Sequence, residues 1–344
     1  MRYLRLLTPV LSFVLIPALT ASLPALAQAP LTIATQAEGS TYHQIGVSLA
    51  EYLNAAGVAA QVKPYKSWAD YLRLIDKGKV GVGFVIGIDA GASFRAKDEA
   101  ARLTNLRALG RLWTIRYTYL ARSALGIKNL AGLRGRRVGL DVTGNPTLSE
   151  VNAALLRTVA LGARDMKASE IAGFPDGIQR LTARELEAVP IAVGVPLVRQ
   201  ARLGIQGGVN YVSLFGPNAT TDFLANLPPG LYVVELQPDE RIPEIKEPTK
   251  ITAFDVFLIG HARLSNAHVE AVLKQLNEKK DALEEKHPVL RPIEGTIADQ
   301  DRTAEIAAPT NPIPYHSASI AYFKTITVWN DANERAEERL KRPR

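Results

Sequence analysis

The residues best placed to do chemistry stand in two short stretches, "EGSTY" at 38–42 and "TGNPT" at 143–147, each leading into a segment of helical periodicity. In the first, Ser40, Thr41 and Tyr42 put two small hydroxyls and a phenol at a helix start. Unpaired backbone N–H groups and the positive end of the helix dipole favour a carboxylate or other anion there. In the second, Asn145 suits the N-cap and Pro146 the first helical position, while Thr143 and Thr147 bring hydroxyls to the same end beside Gly144. The chemistry this permits is non-covalent capture of an anion. The alternative for either stretch alone is an ordinary capped helix, with Ser40 as N-cap in the first. A third junction, "PYKSWADYLRLIDKG" at 64–78, opens its helix with Lys66, Ser67 and Trp68. Lys66 can neutralise a carboxylate and Trp68 can stack on a ligand or wall a pocket; equally, Lys66 can be solvated and Trp68 packed under the loop.

Covalent, metal and cofactor chemistry find no pattern here. No G-x-S-x-G elbow, Walker loop, G-x-G-x-x-G or H-E-x-x-H occurs. His43, His261, His268, His287 and His316 lie far apart without metal-ligand spacing, and His316 reads as a structural hydrogen-bonder. Cysteine is absent, which removes thiolate chemistry and a disulfide scaffold and fits an exported protein stabilised by packing. Carboxylates are many, yet no pair stands out as acid and base. Arg111 and Arg116, beside Trp113, are secondary candidates for pairing a carboxylate, although surface ion pairs are the commoner fate of such arginines. No catalytic residue, metal or cofactor is expected.

The elements that must position these groups follow an alternating rhythm. "LTIAT", a helix from Thr41 to about Ala56, "AAQVKPY", a helix from about Trp68 to Lys77, and "VGVGFVI" give βαβαβ, the signature of a parallel, doubly wound sheet. "YTYLARS" follows as a strand. The rhythm restarts with the strand "RRVGLD" and a helix from Pro146 to about Leu161, which predicts a second lobe continuing through "AVPIAVGVP", "GVNYVSLF" and "PPGLYVVELQP". The very apolar "ITAFDVFLIGHARL" and a helix from about Asn266 to Lys286 are expected to return to the first lobe. The boundaries read as 28–121 for the first part of lobe 1, 122–250 for lobe 2, 251–325 for the return to lobe 1, and 326–344 for a charged C-terminal tail. Ligands of such sheets bind in the crevice beyond the carboxyl ends of the strands, where the two helix starts, one per lobe, can face each other.

The compartment is set by residues 1–27, where Arg2 and Arg5 precede "LLTPVLSFVLIPALTA" and "ALA" at 25–27 offers a small-x-small cleavage site. The pattern is a secretory signal peptide; the alternative is an uncleaved anchor, against which Pro17 and Pro24 interrupt the apolar run. Net charge is +7, and 7 minus Arg2 and Arg5 leaves +5 for the processed chain. The basic residues are scattered among acids with no dense run of interleaved aromatics, so nucleic acid is not an expected partner. A mild surplus of this kind either attracts anionic small molecules or a membrane surface or is simply a solvated surface.

In this order the segments "LTIATQAEGSTYHQIGVSLAEYLN", "LRLIDKGKVGVGFV", "GIKNLAGLRGRRVGL", "TGNPT" and "IPYHSASIAYFK" resemble the TAXI family of extracytoplasmic solute receptors, over nearly the whole span from Leu31 to about Phe323. The resemblance implies a periplasmic binding protein with two α/β lobes of type II topology. It would close over a small organic acid or amino acid and hand it to a sodium-driven TRAP membrane permease. By the family's pattern the ligand contacts are Ser40, Thr41 and Tyr42 with Thr143, Gly144, Asn145 and Thr147. The chain departs from that pattern in carrying Gln36, Ala37 and Glu38 where a glycine-rich loop is usual, Lys66 where a glycine pair is usual, Asn145 and Pro146 within the second loop, and Glu187 and Val189 before a cleft wall at Val195 and Pro196. Fewer glycines restrict close backbone approach to a ligand. A Lys66–Glu38 pair would either hold the two charges of an amino acid or fill the site itself. The rival implication is a receptor fold with a degenerate cleft that serves a membrane sensor as a signalling or scaffold surface.

Overall fold

The computed structural model describes residues 29–143, 145–215, 227–290, 306–307 and 310–341, so the signal-peptide reading of residues 1–27 lies outside the described residues. Strands β1 (Leu31–Thr35), β2 (Ala60–Pro64) and β3 (Val82–Ile86) pair in parallel, with β1 in the middle. Helices α1 (Thr41–Ala55) and α2 (Trp68–Asp76) make the crossovers. Helix α1 forms because Ile45, Leu49 and Leu53 recur on one face and are buried there. A Cβ added to Gly46 would lie 2.6 Å from Cγ2 of Thr35, so glycine lets the helix settle directly on β1.

Two long strands join this half of the sheet to the other. β4 (Leu106–Arg122) and β10 (Thr249–His261) run antiparallel to each other, from Leu106 opposite His261 to Tyr117 opposite Thr252. The C-terminal half of β10 also pairs with β3, whereas the C-terminal half of β4 pairs with β7 (Ala188–Ala192) and β8 (Val209–Val212). β5 (Arg137–Val142) pairs in parallel with β6 (Lys167–Ile171) and β7, and β9 (Leu231–Leu236) lies on the N-terminal half of β10. The main order is β2-β1-β3-β10-β4-β7-β5-β6. Both long strands therefore exchange partners inside their own length. The boundaries read at 121/122 and 250/251 fall at the C-terminal end of β4 and near the N-terminal end of β10.

The lobe crossing is pinned by a buried carboxylate. Asp255 of β10 is 1% exposed and accepts hydrogen bonds from the hydroxyls of Thr114 (2.6 Å), Tyr232 (2.9 Å) and Thr310, with Arg111 3.6 Å away. Beside it, β4 bulges at Leu112, where the register shifts between Val256 and Phe257. The segment after residue 306 clamps the bulged strand: Ala108 donates its N–H to the carbonyl of Pro314, and His316 donates its own to the carbonyl of Ala108.

Elsewhere, the single helix expected over 266–286 is two, α7 (Asn266–Glu278) and α8 (Lys280–Lys286), broken at Lys279; beyond the break His287 reaches Ser48 of α1 at 2.9 Å. Residues 87–94 form α3 (Gly87–Phe94) directly after β3. In the segment read as a charged tail, α10 (Asp331–Lys341) buries Asn333, Ala336 and Glu337, and Glu337 accepts the N–H of Tyr315 at 2.7 Å.

Removing a buried, multiply bonded carboxylate is expensive, so Asp255→Ala is expected to cost about 3 kcal/mol or more in urea unfolding. Asp255→Asn, which keeps an acceptor for the hydroxyls, is expected to lose less.

Candidate functional site

Of the helices that begin at the carboxyl ends of their strands, three bear on the site: α1 after β1, α3 after β3, and α4 (Pro146–Arg157) after β5. In α1, Gly39 takes the left-handed conformation (φ +79°) that turns the chain into the helix, and the Ser40 side chain accepts the N–H of His43 at 3.2 Å. Helix geometry leaves the N–H groups of Thr41 and Tyr42 without an intrahelical carbonyl. The Tyr42 ring packs against Phe84 of β3 (6.3 Å between centroids) and Trp113 of β4 (5.3 Å). In α4, the Asn145 side chain accepts the N–H of Leu148 at 3.2 Å and Pro146 occupies the first turn, so the capped start expected there is present.

The contact that brings the halves together joins a candidate, Thr147, to Asp89, a residue absent from the sequence-derived set. Thr147 of α4, 8% exposed, donates its hydroxyl to Oδ1 of Asp89 of α3 at 2.5 Å. Asp89 is itself only 4% exposed, and its Oδ2 has no hydrogen-bond partner. Burial pushes its carboxyl up to about 7; the Thr147 hydrogen bond pulls the other way and Glu150 pushes it further up. Tyr42 and Tyr71 feel the same carboxylate: burial raises both phenols first, and Asp89 adds to each. The Tyr71 hydroxyl is already committed to the carbonyl of Phe84. The centre of the site is thus Asp89, with Tyr42 and Tyr71 from one half of the sheet and Thr147 from the other.

Tyr42 and Thr147 are brought together around that carboxylate, and Ser40 and Asn145 stand at the two helix caps. Thr41 and Glu38 are exposed, and so is Lys66; no ion pair joins Lys66 to Glu38 among the described residues. Trp68 is half-buried against the hydrophobic core at the start of α2. Thr143 is exposed and turns toward β6, donating to Glu170 at 2.6 Å, because a carboxylate stands on the neighbouring strand. Gly144 lies outside the described residues. Val195 caps α6 (Pro196–Gly204), half-buried, with Pro196 exposed beside it. Of the secondary candidates, Arg111 faces Asp255 at the hinge and Arg116 is buried with a partner. His316 caps α9 (Ser317–Thr325) by accepting the N–H of Ala318 at 3.2 Å.

One signal of Asp89 was available: it is the only charged residue between Lys79 and Arg95, in a run of apolar and small residues. A lone acid in such a run is buried or solvated according to tertiary neighbours that periodicity does not reveal.

This fold, with helix starts converging where two halves of a sheet meet, is that of the two-lobe periplasmic binding proteins. Residues 33–326 match the model of the NMT1-like family, and the chain belongs to that family. Among solved structures it is similar to a TctC solute-binding protein from Polaromonas, with 11% identity over 89% of this chain and 96% of that one and a TM-score of 0.51. It is also similar to a structure described as the periplasmic sulfonate-binding protein SsuA of a sulfonate ABC transporter from Methylobacillus flagellatus KT, with 12% identity over 87% and 94% of the two chains and a TM-score of 0.50. No helix among the described residues is long and apolar enough to cross a membrane.

The raised Asp89 carboxyl has a defined effect on stability. Its folded value (about 7) lies above its ordinary 3.8, so between those limits the folded protein holds a proton the unfolded chain has lost, and stability falls as pH rises. Asp89→Asn removes that penalty while keeping an acceptor for Thr147. Relative to the wild type, the variant is expected to gain on the order of 4 kcal/mol between about pH 4 and pH 8, checked by urea unfolding of both proteins across that range.

Proposed function

We propose that the protein is an extracytoplasmic solute receptor of the TAXI type, exported by its N-terminal signal to the periplasm, which captures a small organic acid or amino acid by lobe closure and delivers it to a TRAP-type membrane permease. The observation that carries this reading is the Thr147–Asp89 hydrogen bond beside Tyr42: the start of α4 in one lobe meets α3 and α1 of the other, so groups from both lobes contact a solute only when the crevice is closed. In this reading residues 28–121 and 251–325 form one lobe, 122–250 the other, and β4 with β10 is the hinge. Binding, with no covalent step, is the whole of its chemistry. The family match and the solute-receptor fold support it.

One observation favours a second reading. The Thr147 hydroxyl is taken by Asp89, and the Ser40 and Asn145 side chains cap their own helices, so the protein's own groups occupy donors and acceptors a solute would use. A receptor fold closed on itself would present a surface to a membrane partner instead.

A thermal-shift screen of the exported protein against amino acids, dicarboxylates, oxo acids and aromatic acids separates the two. A ligand that binds only the folded state raises Tm as its concentration passes its Kd, by about 2.7 kcal/mol of added stability at a hundred times Kd. The transport reading expects one such saturable shift, reduced to near zero in Tyr42→Ala; a flat response throughout, in protein verified as folded and free of carried-over ligand, favours the self-closed receptor.

A further inference from the structure

Five carboxylates are buried among the described residues: Asp89, Glu244, Asp255, Glu284 and Glu337. Four have their charge answered within the protein. Glu244 pairs with Arg202 at 2.9 Å, Asp255 with Arg111 and three hydroxyls, and Glu284 with Lys280 at 3.5 Å. Glu337 accepts the Asn311 amide at 3.0 Å and the Tyr315 N–H at 2.7 Å. Asp89 alone has a single neutral donor on one oxygen and none on the other. A buried carboxylate without a counter-charge is costly, and it either takes up a proton or meets a cation.

The groups that act on Asp89 come from three helices. From α1 comes Tyr42, from α2 Tyr71, and from α4 Thr147 and Glu150; none of them is a cation. Glu150 adds negative charge, and the Tyr42 ring, packed on Trp113 at 5.3 Å, is of the kind that attracts a cation. The helix that brings Tyr42 to this carboxyl also carries its opposite: the N–H groups of Thr41 and Tyr42 at the positive end of α1, suited to a carboxylate.

We infer that the solute carries an ammonium group that seats on the free Oδ2 of Asp89 against Tyr42 while its carboxylate meets the start of α1, which makes it an amino acid rather than an oxo acid or a dicarboxylate. This rests on the receptor reading above. Asp89 is then a specificity residue: it supplies the counter-charge to the one group that distinguishes an amino acid from its oxo acid, and its bond to Thr147 ties recognition to closure.

The experiment is isothermal titration of the exported protein with matched pairs: alanine against pyruvate, phenylalanine against phenylpyruvate, and glutamate against its oxo acid. The expected result is that an amino acid binds and its oxo acid binds weaker by on the order of a hundredfold, the loss that follows when one partner of a buried charge pair is removed. Asp89→Asn, which preserves the shape and the acceptor for Thr147, is expected to lose the amino acid by a similar factor. The wild type supplies a readout that needs no variant: amino-acid affinity should climb with pH as the Asp89 carboxyl loses its proton and level off above about pH 7. Tight binding of an oxo acid or dicarboxylate that Asp89→Asn leaves unchanged would overturn the ammonium assignment and leave the receptor reading intact. Absence of binding by every member of the panel would overturn both.

Discussion

The ladder between β4 and β10 is the constraint on which the rest of the structure depends. Two strands that run unbroken through both halves of the sheet let those halves move only as the ladder bends. The Asp255 cluster and the bulge at Leu112 sit where the partners change, so the crossing between the halves is fixed by hydrogen bonds. The same geometry places the starts of α1, α3 and α4 at the carboxyl ends of their strands, where the two halves of the sheet meet.

The two buried aspartates Asp255 and Asp89 differ in how far the protein satisfies them. Asp255 is saturated by three hydroxyls and Arg111. Asp89 is held by one hydroxyl and keeps one bare oxygen, so a buried carboxyl without a counter-charge stands where the two halves touch. Sites of function commonly hold such unsatisfied groups, because a ligand that satisfies one gains energy the folded protein could not supply itself.

Much of this was legible in the sequence. Periodicity gave the alternating elements and the restart that marks a second lobe, and cap chemistry placed the starts of α1 and α4 within a residue, since Ser40 and Asn145 each act through the next few residues of chain. Two of the hydroxyl-bearing candidates, Tyr42 and Thr147, do converge. What was hidden depends on long-range neighbours. Thr143 is drawn aside by Glu170, twenty-seven positions away. Lys66 and Glu38, complementary on paper, both stay with solvent. Asp89 lies in an apolar run whose helix, α3, is too short and too uniformly buried to show a period, and only the fold brings it against Thr147 fifty-eight positions later.

The central claim is that solute holds two lobes shut across the crevice, and an interlobe distance tests it most directly. The chain has no cysteine, so a pair introduced as Arg73→Cys on α2 and Gln179→Cys on α5 (Phe174–Thr182), both exposed, can be spin-labelled without competing sites. Pulsed dipolar spectroscopy with and without the solute that gives the largest thermal shift should yield one narrow, short distance in its presence and a longer or broader distribution in its absence. The same distribution under both conditions would contradict closure and leave a receptor fold that does not move on binding.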